Sequence, residues 1–276
     1  MKQSIYISTD IEGVAWTSDW DEGDDDCRIY QVFRTIMTVE LATLAESVVK
    51  PSKIVLRDAH GSGKNVLKRM MPKYVRLIQG WNKEPTNMMR GINYKKYDFA
   101  CLHGYHAAGD SGLSPLAHTF SSDSFVAFTL NGKLVGETTF AIYTAAYFGV
   151  PLVYVCGDYG AVAEAQSINP HIVGTITKKF NGRDKFMLSE KDVLEKIKSD
   201  FIRAQNVFYK NKKKFNIKLP EQFVLTLQYV DKNQAALHAA TVPGVRQISP
   251  NTLEYQTNDY LDLLTVMRLM KLKIRA

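Results

Sequence analysis

A chain of 276 residues with 45% hydrophobic and 23% charged side chains can bury the core of one large domain or two ordinary ones, which excludes a disordered or low-complexity polypeptide. Cys27, Cys101 and Cys156 lie far apart without CxxC spacing, which excludes a disulfide framework and a thiolate zinc site; all three are expected to be reduced and mostly buried. The formal charge of +7 invites a nucleic-acid reading, but much of the excess sits in KNKKKF (210–215) and RLMKLKIRA (268–276), where solvated helix ends explain it; no nucleic-acid partner is expected.

The chain enters a strand at 4–9 without the apolar stretch of a secretory signal, so a cytoplasmic location is expected. Apolar residues at helical spacing over 30–50 predict a helix, and 53–58 predicts a second strand, together a βαβ unit. Further strands are predicted at 97–103 and 151–156. Between them FVAFTLNGKLVGE (125–137) reads as a β-hairpin, because Asn131-Gly132 suits a type I′ turn. The longest apolar run, 140–157, contains Gly149 and Pro151 and reads as helix then strand, so no membrane span is expected. A helix at 161–168, a strand near 171–178 and a long charged helix opened by Ser189 follow. Segments 222–230, 233–241, 251–258 and 259–274 read as strand, helix, strand and helix. The expected class is α/β, a three-layer sandwich with a mainly parallel central sheet, an inserted β-hairpin and a smaller C-terminal α+β lobe. Residues 1–185 would form the metal-binding catalytic domain and 186–276 the lobe; with no flexible linker near 185, one continuous domain is the alternative.

Open α/β sheets bind ligands beyond the carboxyl ends of their strands, and here carboxylates and imidazoles gather at those ends. Asp10 and Glu12 follow the first strand and, two apart, point the same way, so they need solvent or a cation between them. Asp58 and His60 follow the second, His103 and His106 the third, and Glu137 closes the hairpin. Imidazole and carboxylate are usual zinc ligands, and Asp10, Glu12, His60, His106 and Glu137 can hold two Zn²⁺ ions if one carboxylate bridges. Singly, each has a plainer role: a cap or turn for Asp10 and Glu12, a loop hydrogen bond for His60, a surface charge for Glu137. Only their joint placement favours a metal. His103 and Asp58 are expected to be structural or to support the ligands.

Two other motifs fail. GSGK (61–64) lacks the first glycine and the final hydroxyl of a phosphate-binding loop, since Asp58 and Asn65 stand there. GDSG (109–112) lacks the all-β, disulfide-bonded context of a serine protease, leaving Ser111 a loop residue. The acidic DWDEGDDD (19–26) lacks calcium-loop spacing and is expected to be a solvated surface loop.

STDIEG (8–13), DAHGS (58–62), LHGYHA (102–107), AHTF (117–120) and LVGET (134–138), in this order and spacing, resemble the D-aminopeptidase family of dinuclear zinc peptidases, the DppA or M55 family. VYVCGDYGAVAEAQ (153–166) extends the resemblance, and the overall length agrees. The resemblance implies that Asp10, Glu12, His60, His106 and Glu137 ligate zinc, with Asp10 bridging, and that His118 is catalytic. It further implies hydrolysis of N-terminal D-amino acids from short peptides or amides, and a ring-shaped homo-oligomer. Alternatives are a dinuclear hydrolase of another amide or a phosphoester, or a non-catalytic metal-stabilised binding protein.

Overall fold

Ile5 and Ile7 of the first strand are buried in one apolar cluster while Tyr6 is buried in another, so this strand has no solvent face. That double burial is the mark of a parallel sheet covered on both sides, and the computed structural model, which describes residues 3–50, 52–182 and 184–271, has this arrangement. In chain order the elements are β1 (Gln3–Thr9), α1 (Trp20–Gly23), α2 (Tyr30–Glu46), β2 (Ser52–Asp58), β3 (Val75–Ile78), β4 (Phe99–Tyr105), β5 (Phe125–Leu130), β6 (Lys133–Leu134), α3 (Glu137–Tyr147), β7 (Leu152–Asp158) and α4 (Tyr159–Ile168). There follow β8 (Val173–Asn181), β9 (Asp184–Met187), α5 (Glu190–Lys210), β10 (Phe223–Tyr229), α6 (Lys232–Thr241), β11 (Arg246–Ser249), β12 (Thr252–Thr257) and α7 (Tyr260–Met270). The end of the predicted last helix, 272–274, lies outside the described residues.

The main sheet runs β3-β2-β1-β4-β7-β8-β9, parallel except for the β8–β9 pair. One face packs Met37, Leu41 and Leu44 of α2 and Ile197, Phe201 and Phe208 of α5 against Ile5, Ile7, Leu56 and Phe99. The other packs Ala141, Ile142 and Ala145 of α3 and Ala161 and Ala165 of α4 against Tyr6, Leu102 and Val155. The three expected layers are therefore present. The long helix α5, which lies beyond residue 185, packs on β7, β8 and α2 of this first sheet.

The hairpin does not stand apart from the C-terminal segment. β5 pairs antiparallel with β10, giving a second sheet of order β11-β12-β10-β5-β6. Its core joins Phe128, Leu225, Leu227 and Leu253 to Leu263, Leu264 and Met267 of α7. Asn131 and Gly132 have φ of 50° and 76°, the two positive values that a type I′ turn requires. Strands β3, β9 and β11, not foreseen from sequence, are four-residue edge strands. Among the described residues no helix is long and apolar enough to cross a membrane.

Backbone contact at the strand ends sets the geometry of the site. Gly104, within β4, has φ +68°, and a Cβ there would lie 2.1 Å from the carbonyl oxygen of Asp10. At Gly13 a Cβ would lie 1.8 Å from the Tyr105 carbonyl oxygen. Both glycines are thus fixed by the approach of the β1 and β4 ends. Gly104→Ala combines a strained φ with a backbone clash and is expected to cost on the order of 2–3 kcal/mol. Equilibrium chemical unfolding checks this; an alanine variant as stable as the parent would show that the two loops can separate freely.

Candidate metal centre

The turn after β1 is held by three elements, β4, β8 and α2. Asp10 N–H donates to the His103 carbonyl (2.8 Å) and Gly13 N–H to the Gly104 carbonyl (2.7 Å). From β8, Thr177 Oγ1 donates to the Gly13 carbonyl (2.7 Å), and Lys178 Nζ donates to the carbonyls of Glu12 (2.5 Å) and Val14 (2.6 Å). Glu40 of α2 accepts from Ala15 N–H (3.0 Å) and pairs with His103 Nε2 (2.9 Å), while His103 Nδ1 meets Thr9 Oγ1 (2.9 Å). His103 therefore supports the turn from below and does not enter the site. Burial pushes the Lys178 amine down to about 8, against the pull of Asp158, Glu40 and Glu12.

Above this turn five side chains converge. Asp10 Oδ1 lies 3.1 Å from His60 Nδ1, and Asp10 Oδ2 lies 3.6 Å from His106 Nε2. Glu12 Oε2 is 3.1 Å from His60 Nδ1, and Glu137 Oε2 is 3.6 Å from His106 Nε2. Among the described residues three groups with metal-ligating potential result, Asp10–Glu12–His60, Asp10–His106–Glu137 and Glu12–His106–His118, and Asp10 belongs to the first two; a fourth, Glu40–His103–Cys156, is formed below the turn. His118 Nε2 stands 3.8 Å from Glu12 Oε1 and from Glu137 Oε1, its ring stacked on His106 at 4.1 Å between centroids.

Each imidazole is tied back by its far nitrogen. His60 Nε2 bonds to the Gly23 carbonyl (2.8 Å), His106 Nδ1 to the Ala107 carbonyl (3.0 Å) and His118 Nδ1 to the Leu116 carbonyl (3.0 Å). A carbonyl only accepts, so the proton of each neutral ring sits on that far nitrogen and the lone pair of the near one faces the carboxylates. Metal-ligating histidines are oriented in this way. Glu12 Oε2 and His106 Nε2 are buried without a hydrogen-bond partner, and a divalent cation would satisfy both. The donor set of carboxylate oxygens and imidazole nitrogens suits zinc.

Three carboxylates buried together perturb every group nearby. Burial, reinforced by Glu12, raises Asp10 from 3.8 to about 7, although His106 and His60 oppose it. Burial also resists ionisation of Glu12 and Glu137, but His60 holds Glu12 well below its usual value and His106 brings Glu137 down to about 2. His60 and His106 rise well above 6.5; burial works against their charge, and Glu12 and Glu137 respectively outweigh it. His118 is lowered by burial and by the neighbouring His106, so it is the neutral imidazole of the three.

The sequence-selected residues Asp10, Glu12, His60, His106 and Glu137 thus meet at one point, with His118 beside them. Glu137 does not close the hairpin, as the sequence suggested. It is the first residue of α3, behind the cap residue Gly136. Glu164 of α4 accepts from the N–H groups of Gly136 (2.8 Å) and Thr139 (3.0 Å) and so caps that helix. Asp58 accepts from Asn65 Nδ2 (2.7 Å) and Val66 N–H (2.8 Å), shaping the loop that carries His60. The acidic loop is also more than solvated surface. Its Asp19 and Glu22 form a capping box on α1, Trp20 meets the His118 ring edge-on at 5.3 Å, and Gly23 holds His60.

The cluster lies in an open cavity of about 690 Å³ whose lining includes Trp20, Trp81, Phe120, Phe125 and Lys271. Lys271 belongs to the basic terminal run read from sequence as solvated, yet its ammonium lies over the Phe120 ring, 3.6 Å from the centroid. Lys271, Glu164, Trp20 and Lys178 had no local sequence signal, because each acts across elements distant in the chain.

A three-layer α/β sheet with a buried carboxylate–imidazole cluster at its strand ends, roofed by a second sheet, defines the architecture of a metallohydrolase. The model of peptidase family M55, described as D-aminopeptidase, matches residues 1–269, and the chain belongs to this family of peptide-bond hydrolases. A D-aminopeptidase of Bacillus subtilis (strain 168) is 26% identical over 273 residues, covering 96% of both chains. Among solved structures, the Zn-dependent D-aminopeptidase DppA from Bacillus subtilis, described as a self-compartmentalizing protease, superimposes with a TM-score of 0.86 at 24% identity; the match covers 97% of this chain and 96% of that one.

The shifts define a pH signature for the metal-free protein. Glu137, folded at about 2 against an ordinary 4.5, and Glu12, shifted the same way, contribute stability present above about 4.5 and lost as pH falls through their folded values. His60 and His106, raised from 6.5, contribute stability that is full below that value and lost as pH rises through their folded values. Asp10, raised from 3.8 to about 7, adds a loss across that interval. Metal-free thermal stability is therefore expected to rise from about pH 2 to about 4, to decline from there to about 7 as Asp10 ionises, and to decline further as His60 and His106 lose their protons, with the decline suppressed by zinc. Calorimetry with and without chelator tests this, and a metal-free profile flat above pH 6 would contradict the charge assignment.

Proposed function

We propose that the protein is a zinc-dependent aminopeptidase that removes N-terminal D-amino acids from short peptides, with two zinc ions per chain. Asp10, Glu12 and His60 would hold one ion and Asp10, His106 and Glu137 the other. The observation that carries this reading is the position of Asp10, whose two oxygens face His60 and His106 separately at 3.1 and 3.6 Å. A single carboxylate shared by two ligand sets is what a pair of close cations needs. Bound there, zinc supplies Lewis acidity and lowers the pKa of water from about 15.7 toward about 7, the chemistry needed to hydrolyse an amide at neutral pH.

The chain's own residues supply orientation and proton transfer. His118 is neutral, with its Nδ1 proton committed to the Leu116 carbonyl and Nε2 directed toward Glu12 and Glu137. From there it can accept a proton from the attacking water and release one to the leaving amine. Trp20 fixes the ring from the opposite edge, and with Trp81 it gives the cavity an apolar wall for a side chain. The self-compartmentalizing character of DppA from Bacillus subtilis supports a homo-oligomer for this chain as well.

Metal analysis of reconstituted protein, paired with hydrolysis of D- and L-alanyl amides, tests the proposal. About two zinc per chain and preference for the D-substrates are expected; a preparation saturated with zinc that cleaves neither series, or that cleaves phosphoesters instead, overturns it. Asp10→Asn is expected to reduce zinc content to less than half, since it removes one charge from both ligand sets. His118→Ala is expected to keep its zinc and lose about 10²–10⁴-fold in kcat, the range of a positioned general acid–base.

A further inference from the structure

We propose that Lys271 forms a carboxylate-binding subsite in the cavity of the metal centre, which takes the free C-terminal carboxylate of a dipeptide substrate. This rests on the aminopeptidase reading and adds to it a reason for short substrates.

Lys271 follows the last turn of α7, in the lobe built on the second sheet, and lines the same cavity as Asp10, Glu12, His60 and Glu137. The ring of Phe120 lies under its ammonium, and Phe120 N–H in turn donates to Glu137 Oε1 (2.6 Å). One aromatic residue thus separates the cation from a carboxylate of the cluster. Among the described residues no carboxylate forms an ion pair with the Lys271 ammonium and no acceptor is hydrogen-bonded to its Nζ. A half-buried ammonium with only an aromatic face for company lacks a counter-ion.

Burial lowers the Lys271 amine to about 7, with Glu137 opposing the shift and Arg268 adding to it. A substrate carboxylate seated beside the amine would hold it in its charged form and supply the missing counter-ion. The cavity also carries the hydroxyls of Ser121, Ser122 and Ser124 as neutral donors; Asp123, in the same stretch of the lining, is exposed to solvent. In a dipeptide bound by its amine at the cluster, the terminal carboxylate lies one residue beyond the scissile bond, about 3.3–3.6 Å of extended chain, and Lys271 lines the cavity that holds the cluster.

The test compares D-alanyl-D-alanine, its C-terminal amide, and D-alanyl-D-glutamic acid α-amide, whose carboxylate is on the side chain, on the zinc-loaded full chain. Wild-type enzyme is expected to show a KM for the free dipeptide about tenfold or more below that for its amide, the scale of one charge-assisted hydrogen bond. Lys271→Met should raise the dipeptide KM to the level of the amide with less than a threefold change in kcat, leave the amide unaffected, and be reversed in large part by Lys271→Arg. Calorimetric binding of the non-cleavable reduced-amide dipeptide (CH₂–NH), as acid and as amide, should show the same difference without turnover. Equal wild-type KM values for acid and amide overturn the subsite even if the variants do not fold, as does a Lys271→Met effect equal on both or confined to the glutamyl substrate. If the wild type cleaves nothing in the panel, the aminopeptidase reading falls, and the calorimetric comparison judges the subsite by itself.

Discussion

Three carboxylates, Asp10, Glu12 and Glu137, are buried within a few ångströms of one another, and most of the surrounding structure can be understood as what keeps them there. Left to themselves they would repel or protonate. The fold prevents them from moving apart by fixing backbone rather than side chains. The glycine contacts bring the end of β1 against that of β4, and Lys178 draws two carbonyls of the 10–14 turn downward from β8. Lys178 also places a positive charge beneath the cluster without occupying a ligand position. A parallel sheet suits this task, because all its central strands end on the same side and neighbouring turns are about 4.7–4.9 Å apart.

The imidazoles are positioned by a different rule. Their far nitrogens meet backbone carbonyls from Gly23, Ala107 and Leu116, which belong to three separate segments. The acidic 19–26 segment thus supports the candidate metal centre through the Gly23 carbonyl although none of its acids belongs to the cluster. His106 and His118 stack in parallel, and burial together with the neighbouring His106 lowers the basicity of His118. Two histidines in contact thereby differ in basicity although both face the Glu137 carboxylate.

The parallel strands and the carboxylates and imidazoles that converge at their ends were legible in the sequence because both signals are local: β-branched runs broken by glycine, with Asp, Glu or His just beyond. Glu137 was found for a partly mistaken reason. Gly136 offers no capping side chain, so the start of α3 carried no local mark, and its cap comes from Glu164, 28 positions away. The Asn131-Gly132 turn was correctly read, but the partner of its first strand, β10, lies about 95 residues further along, so the hairpin looked like an insertion. His118 stood out only through the family resemblance, since nothing in its neighbours marks it. Lys271 was hidden in a run whose other cations looked like an ordinary helix end, and its placement depends on how α7 packs over the second sheet.

That second sheet explains why the chain leaves the main sheet between β4 and β7. The excursion carries His118, Phe120 and the 121–124 serines to one side of the cavity, then returns with Glu137 at the head of α3. Phe120 packs against Phe128 and Phe140, and Tyr260 donates to the Phe140 carbonyl (2.9 Å), so the start of α7 is anchored to the helix that bears Glu137 while its other end brings Lys271 over the Phe120 ring. The lobe therefore does more than cover the sheet. Four ligands come from one sheet's edge, and the groups that would handle the proton and the far end of a substrate come from the excursion and the lobe. Changes in α7 or its packing can thus alter which peptides fit while leaving the metal ligands untouched, a separation that follows from the two-sheet construction itself.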